Sequence, residues 1–401
     1  MSILNKKTHD VCLVLDIGNA SLAGSLTLFV PGLPPEALFT IRVPFTIGEH
    51  AHPEKLQSTL LSQLHDVLDT IHTKGFQHDY FKTHDKKIVK VLCVCASPWY
   101  VSKTKKVSVS NPKPFIITKS FLEDVMSKEV DVFTAELLSG VHGEEFKSGV
   151  SVMEKTVVDA KINGYSLHDP LGQTTNSCDI TLYLGVHSTE ITTAINSHIL
   201  KFFSVGAQSI LWHSFPLVAY SALQKIFPHE NDYLLCDVTG EVTDITRVTG
   251  GVVRETVSFP SGKFFLVRKL MKTLSLPAEV AQSFLHLWQN KNASVEMEEK
   301  IKGALAEAES EWSIYLEDAF SSMGDIRALP QKMYLTSDTD VASIFMDFIK
   351  APHTDATMLW RRGAQVVHLS EEVLSHFYVS GNHLTFDECV ALDSIFLASF
   401  Q

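Results

Sequence analysis

Apolar residues near the start of the chain fall into short runs with strand character. VCLVLDIG (Val11–Gly18) is nearly unbroken and ends in an acidic–glycine turn. A run of that kind predicts a strand buried on both faces. SLAGSLTLFV (Ser21–Val30) alternates and reads as the second strand of a hairpin, with ALFTIRVPF (Ala37–Phe45) as a third. The period then changes. Leu56, Leu60, Leu61, Leu64, Val67, Leu68 and Ile71 fall at helical spacing between Glu54 and Lys74, and Lys74-Gly75 ends the pattern. His65 and His72, seven apart on this helix, read as solvated side chains.

KIVKVLCVCAS (Lys87–Ser97) predicts a central strand. Beyond it the pattern gives a strand VSVS, a loop NPKPF with two prolines, and ITKSFLEDVM, a helix starting behind Thr118 and running to about Leu138. EKTVVDAKINGYSL and CDITLYLGV predict two strands joined by the turn-rich HDPLGQTTNS. The segment from about Val107 to Val186 therefore reads as a small self-contained module of strand, helix, strand and strand. Helices follow over Glu190–Phe203, Pro216–Ile226, Ser261–Leu276, Glu296–Phe320 and Asp340–Lys350, with strands at SILWH and KMYLTS (Lys332–Ser337).

The acidic–glycine hairpin occurs twice. LDIGNASLAGSL near the start is matched in kind by CDVTGEVTDITRV past the middle, which leads into GGVVRETVSFP (Gly250–Pro260). This predicts two similar α/β halves facing each other across a cleft, with one turn from each pointing in. Asp237, Thr239, Gly240, Thr243 and Asp244 in the second turn are residue types that wrap backbone around a phosphate. Asp also caps tight turns, and Thr packs across hairpin strands. Both readings stand at this stage.

Composition narrows the class. A 401-residue chain with 45% hydrophobic and 20% charged residues is long enough for more than one core and is not disordered in bulk. The 34 basic and 46 acidic residues give a net charge of −12, and the longest basic stretch is KTKK at Lys103–Lys106. A nucleic-acid partner is not expected. The six cysteines are scattered among apolar neighbours and read as core residues in a reducing compartment, not as a disulfide frame or zinc site. Cys93 and Cys95 share a strand face but have no second pair. MSILNKKTHD lacks an apolar signal core, so no signal peptide is expected. The uncharged stretch Phe202–Gln224 reads as a strand edge and a buried helix, not a membrane span.

The two turns, in this order, resemble the phosphate-1 and phosphate-2 loops of the actin-like ATPase superfamily, first the bacterial cell-division protein FtsA and next the pilus-assembly protein PilM. IITKSFLEDVM is similar to the helix start after the first loop. VVDAKINGYSLHDPLGQ, with its Gly164–Gly172 run, resembles the inserted-domain signature. FPLVAYSAL (Phe215–Leu223) resembles the helix before phosphate-2, VSFPSGKFFLVRKL (Val257–Leu270) the element after it, and KMYLTSDTD the adenosine loop. The resemblance implies actin-like, ribonuclease H-like duplicated lobes around a cleft, with an inserted strand–helix–strand–strand domain. It divides the chain into a first lobe (residues 1–105 and 188–230), an insert (106–187), a second lobe (231–350) and a C-terminal segment packed on the lobes (351–401). It also implies ATP with Mg2+, bound by Asp16, Gly18, Asn19, Ser21, Asp237, Thr239, Gly240, Thr243 and Ser337, with Asp16 and Asp237 at the metal. The family's place is the cytoplasm, recruited to the inner face of the membrane. Its partners are division or pilus-assembly proteins such as FtsZ, and copies of itself.

Departures from the pattern redirect the expectation. Phosphate-2 loops usually read Asp-x-Gly-Gly-Gly-Thr, whereas this chain keeps one glycine and places Glu241 after it. Two unit charges about 4 Å apart repel by roughly 4 kcal/mol at an effective dielectric of 20. Ser337-Asp338 replaces the adenosine loop's glycine pair. The cleft lining would then carry Asp16, Asp237, Glu241, Asp244 and Asp338. Lys263 and Arg268, near the entrance, read as a solvated helix face with either available to offset Glu241. The expectation is a scaffold with a degenerate cleft that does not hydrolyse ATP. The alternatives are a nucleotide-switched ATPase and a PilM-like adaptor. The tail HLTFDECVALDSIFLASFQ, with Asp387, Glu388 and Asp393 as its polar side, reads as a docked or partner-binding helix without direct membrane insertion.

Overall fold

The structure, a computed structural model, describes residues 9–45, 53–140, 146, 148–167, 169–289, 292, 294–351 and 360–400. The first eight residues of the leading segment and His168 of the Gly164–Gly172 run lie outside them. The first lobe holds β1 (Asp10–Ile17), β2 (Ser21–Phe29), β3 (Glu36–Pro44), β4 (Val91–Cys95) and β9 (Ile210–Ser214), in the order β3-β2-β1-β4-β9, with a two-residue edge β15 (Val379–Ser380) beside β3. The second lobe holds β10 (Tyr233–Val238), β11 (Thr243–Thr249), β12 (Val252–Phe259), β13 (Lys332–Ser337) and β14 (Gln365–His368), in the order β12-β11-β10-β13-β14. Number the strands within each lobe and both orders are third, second, first, fourth, fifth. In both, the first three pair antiparallel and the rest parallel. The duplication is one of topology.

Alternation along the leading strands explains how the lobes meet. Val11, Leu13, Leu15 and Ile17 pack with helices α1 (Pro53–Thr73) and α3 (Thr189–Phe202) on the outer face of the first sheet. Leu234, Cys236 and Val238 pack with α5 (Lys263–Leu274), α6 (Ala278–Gln289), α7 (Val295–Ser322) and α8 (Thr339–Lys350) on the outer face of the second. The opposite faces, with Cys12 and Val14 on one side and Tyr233 and Leu235 on the other, share one core. That core is filled by α4 (Phe215–Ile226) and the C-terminal helix (Glu388–Leu397). A layer enclosed between two sheets needs apolar residues on all sides, which accounts for the uncharged stretch around α4. Asp16 and Asp237 end the inward-facing rows of β1 and β10, so period 2 delivers both carboxylates to the seam.

Between β4 and β9 the chain leaves the lobe to form a sheet of β5 (Tyr100–Ile116), β6 (Val150–Ile162), β7 (Tyr165–Ser166) and β8 (Thr174–Ser188), in the order β5-β8-β6-β7, covered by α2 (Lys119–Ser139). Thr118 caps α2, its hydroxyl accepting from Phe121 N–H at 3.1 Å. Asn163 and Gly164 both have left-handed backbone, as a two-residue hairpin turn between β6 and β7 requires. NPKPF is not a separate loop: it lies within β5 as an irregularity in register between Ser110 and Phe115. The KTKK cations are paired across the module, Lys103 with Glu136, Lys105 with Glu129 and Lys106 with Asp179. Elements not expected from the pattern include α6, β14 and β15. No helix of the described residues is long and apolar enough to cross a membrane.

A buried carboxylate fastens the insert to the first lobe. Glu154 on β6 accepts from Ser214 N–H (2.9 Å) and Ser214 Oγ (2.7 Å) at the end of β9, and Tyr183 Oη lies 3.0 Å from the same hydroxyl. Truncating an acid in that position leaves buried donors unsatisfied. Glu154→Ala is expected to lower stability by about 3 kcal/mol, measured by urea unfolding, with Glu154→Gln retaining part of it.

Candidate functional site

The two acid-turn hairpins meet, and one side chain joins them. Asn19, fully buried at the tip of the β1–β2 turn, donates through Nδ2 to Ser97 C=O (2.5 Å) and Thr239 Oγ1 (2.9 Å). Its Oδ1 accepts from the backbone N–H groups of Gly240 (2.7 Å) and Glu241 (3.0 Å). These are the donors the second loop would offer to an anion. The loop's carbonyls are engaged as well: Thr239 and Gly240 C=O accept from Lys263 and Phe264 N–H, at the start of α5, both at 2.8 Å. A β-carbon on Gly240 would lie 2.6 Å from Ala20 Cβ, so this glycine permits close approach of the opposite turn.

Arg42 on β3 ties the first lobe to the C-terminal helix. Its Nη2 donates to Asp16 Oδ2 (2.7 Å) and Asp387 Oδ1 (2.8 Å), Nε to Asp387 Oδ2 (2.7 Å), and Nη1 to Ser21 Oγ (2.7 Å). Asp387 is also the N-cap of the C-terminal helix, accepting from Val390 N–H at 3.0 Å. The tail's expected polar side is thus corrected. Asp387 faces inward onto Arg42, and Asp393 is wholly buried. Burial raises the Asp16 carboxyl above the ordinary range against the opposing charge of Arg42. Burial acts in the same direction on Asp387, but the Arg42 charge and hydrogen bonds bring it below that range.

The remaining acids take separate partners. Asp237 accepts from Thr336 Oγ1 at 2.7 Å, while its Oδ2 has no hydrogen-bond partner; burial, with Asp244 opposite, pushes this carboxyl well up. Asp244 accepts from Ser97 Oγ at 2.7 Å, with Tyr100 Oη 3.4 Å away, adding a second tie between the lobes. Thr239 and Thr243 hydroxyls donate to Val242 and Ser261 C=O, each at 2.7 Å. Glu241 turns away from the seam to Arg268 on α5 (2.5 Å and 3.1 Å). Lys263 bridges Asp338 (2.7 Å) and Asp340 (2.9 Å) at the start of α8. The solvated helix face expected for Lys263 and Arg268 is therefore corrected: each neutralises a carboxylate that the sequence placed in the lining.

Two openings lie along the seam. Between the turns, a cavity of about 40 Å³ is lined by Asp16, Gly18, Asn19, Ser21, Arg42, Asp237, Thr239 and Ser337, among others. Farther out, about 630 Å³ opens between β3, the start of α8 and the segment before the C-terminal helix. Ser21, Arg42, Lys263, Ser337, Asp338 and Asp387 border it. Of the nine expected site residues, Gly240 and Thr243 line neither opening. Sequence reading missed Arg42, Ser97 and Asp387. Arg42 had a signal, a lone cation in the apolar strand ALFTIRVPF; the other two had none.

No protein-family model and no curated protein matches the sequence. Solved structures do. The type IV pilus biogenesis complex PilM–PilN superposes over 97% of this chain and 98% of that chain, with 12% identity and a TM-score of 0.59. The ethanolamine utilization protein EutJ from Carboxydothermus hydrogenoformans covers 98% and 90% at 10% identity (TM-score 0.44). MreB 5 of Spiroplasma citri bound to AMPPNP covers 98% and 96% at 10% identity (TM-score 0.42). The chain has the actin-like ATPase fold, two α/β lobes around a seam. Its likeness at the higher TM-score is to PilM.

The Arg42 triad generates a direct expectation. Removing the guanidinium leaves two buried carboxylates facing each other, a change worth about 3–5 kcal/mol. Arg42→Met should lower the urea midpoint accordingly, and Arg42→Met combined with Asp387→Asn should recover part of the loss.

Proposed function

We propose that this chain is an actin-like scaffold of the PilM and FtsA kind, acting by binding other proteins in envelope assembly or division, with a crevice closed by its own side chains. The observation that carries this reading is the Asn19 carboxamide, which occupies the Gly240 and Glu241 N–H donors. A phosphate would have to displace Asn19 and separate two turns that touch at Gly240 and Ala20.

Mg-ATP does not fit between the two turns as they stand. Arg42 already holds Asp16, the space between the turns is about 40 Å³, and Lys263 is committed to Asp338 and Asp340. Asp237 keeps one free oxygen, which a carboxylate raised by burial satisfies as readily with a proton as with a metal. The crevice residues Asp16, Gly18, Asn19, Ser21, Asp237, Thr239, Gly240, Thr243 and Ser337 then serve lobe-to-lobe adhesion in place of nucleotide chemistry. A nucleotide-switched ATPase is the competing reading.

PilM is solved in a complex with PilN, and that likeness favours an adaptor for an envelope-spanning assembly over a division role for this chain. The insert, fastened through Glu154, provides a rigid second surface for such a partner.

Thermal unfolding with millimolar Mg-ATP separates the readings. A site saturated at a hundredfold excess over Kd would gain about 2.7 kcal/mol, seen as a saturable rise in Tm. A scaffold shows none, and a saturable rise overturns the closed-crevice reading. Binding assays against a PilN-type amino-terminal peptide and an FtsZ-type tail peptide then divide the pilus role from the division role.

A further inference from the structure

Asp393 lies in the middle of the C-terminal helix with none of its surface exposed, and neither carboxylate oxygen has a hydrogen-bond partner. The charges around it are Asp16, Asp387 and Asp237, with Arg42 opposing them. Arg42 is already hydrogen-bonded to Asp16 and Asp387. An ionised carboxylate without water or donors is penalised far more than the neutral acid.

The geometry points to Asp393 as a proton-operated latch: it carries a proton while the C-terminal helix is seated between the lobes, and losing that proton loosens the helix and the seam it closes. The helix spans that seam by its first two acids. Asp387 reaches Arg42 of the first lobe, while Glu388 reaches His368 of the second at 3.0 Å and lies 3.4 Å from Thr339 Oγ1. Loosening the helix therefore loosens both lobes at once.

Titratable and charged groups face this helix from several elements. They are Asp16 on β1, Arg42 on β3, Cys95 on β4, Asp237 on β10, Asp338 before α8, Tyr378 before β15, and His368 on β14 paired with Glu388. His213 on β9, held by Glu154, packs on Phe396. From β2 the contact is a hydroxyl, Thr27 Oγ1 at 3.5 Å from Ser394 Oγ, and α4 meets the helix with apolar side chains. Burial pushes the Asp393 carboxyl well above the carboxylate range, with Asp16 and Asp387 adding to it. A folded-state value raised above the unfolded one contributes stability that is complete below the unfolded value and is lost as pH rises toward the folded one. Asp16, Asp237 and Asp244 act in the same sense, and so does His368, raised by Glu388 after burial has pulled it down. Asp387 acts in the opposite sense. The contribution of Asp393 is isolated by substitution.

The test is urea unfolding of the full chain from about pH 5 to about pH 8.5 for the wild type, Asp393→Asn and Asp393→Leu, with infrared spectra of the wild type and Asp393→Asn at neutral pH. The wild-type folding constant should fall with rising pH, by up to tenfold per pH unit for each proton released. Both variants should lose one proton's part of that slope and be more stable than the wild type at the alkaline end. The wild type should also show a protonated-carboxyl band that weakens in Asp393→Asn. Wild-type stability that is flat or rises with pH overturns the latch, as do variants that keep the full slope. If neither variant folds, limited proteolysis of the wild type decides: cleavage within the C-terminal helix should rise with pH over the same range, and cleavage that does not change with pH overturns the latch.

Discussion

Arg42 stands where the demands of the whole fold converge. Duplicated lobes place one acid at the inward end of each leading strand, because side chains alternate and both strands end at the seam. The C-terminal helix adds Asp387 and Asp393 to the same small volume. Like charges in a dry interface repel strongly. The arrangement holds because a guanidinium offers a planar fork to two carboxylates and a hydroxyl at once. The nearby acids that Arg42 does not reach are resolved otherwise: Glu241 on Arg268, Asp338 on Lys263 and Asp244 on Ser97, while burial raises the Asp393 carboxyl.

In the proposed reading, the crevice is an adhesive seam. Asn19 plays the part an anion would play, accepting two adjacent N–H groups, but it is covalently part of the opposite lobe. A bound nucleotide joins lobes reversibly and can therefore switch them. A side-chain clamp joins the lobes without any ligand. A protein that offers fixed surfaces to partners benefits from such a frame, because a rigid surface loses less freedom on binding. The insert is held by the same logic, with a buried Glu154 accepting from the end of β9.

The shared central layer joins distant parts of the fold. α4 and the C-terminal helix touch both sheets, and His213 at the insert's attachment packs against Phe396 of that helix. Insert, lobes and tail are thus packed on one another.

Local pattern determined the elements of this protein. Alternation and helical spacing located β1, β2, α1, the Thr118 cap and the hairpin duplication, since burial on one or both faces leaves a period in the sequence. The acidic–glycine turns were legible because turn geometry restricts residue choice. What the sequence left open was the direction and partner of each charged side chain. Glu241 and Lys263 look like crevice residues or solvent residues equally well along the chain, and their pairing with Arg268, Asp338 and Asp340 depends on helix placement. NPKPF reads as a loop from its prolines, yet the neighbouring strand β8 carries it through as an irregular stretch of β5. Asp387 and Asp393 looked like the wet side of an amphipathic tail, but a helix between two sheets has no wet side, and only the folded lobes reveal that enclosure. Charge has no period, so its partners are decided by tertiary contact.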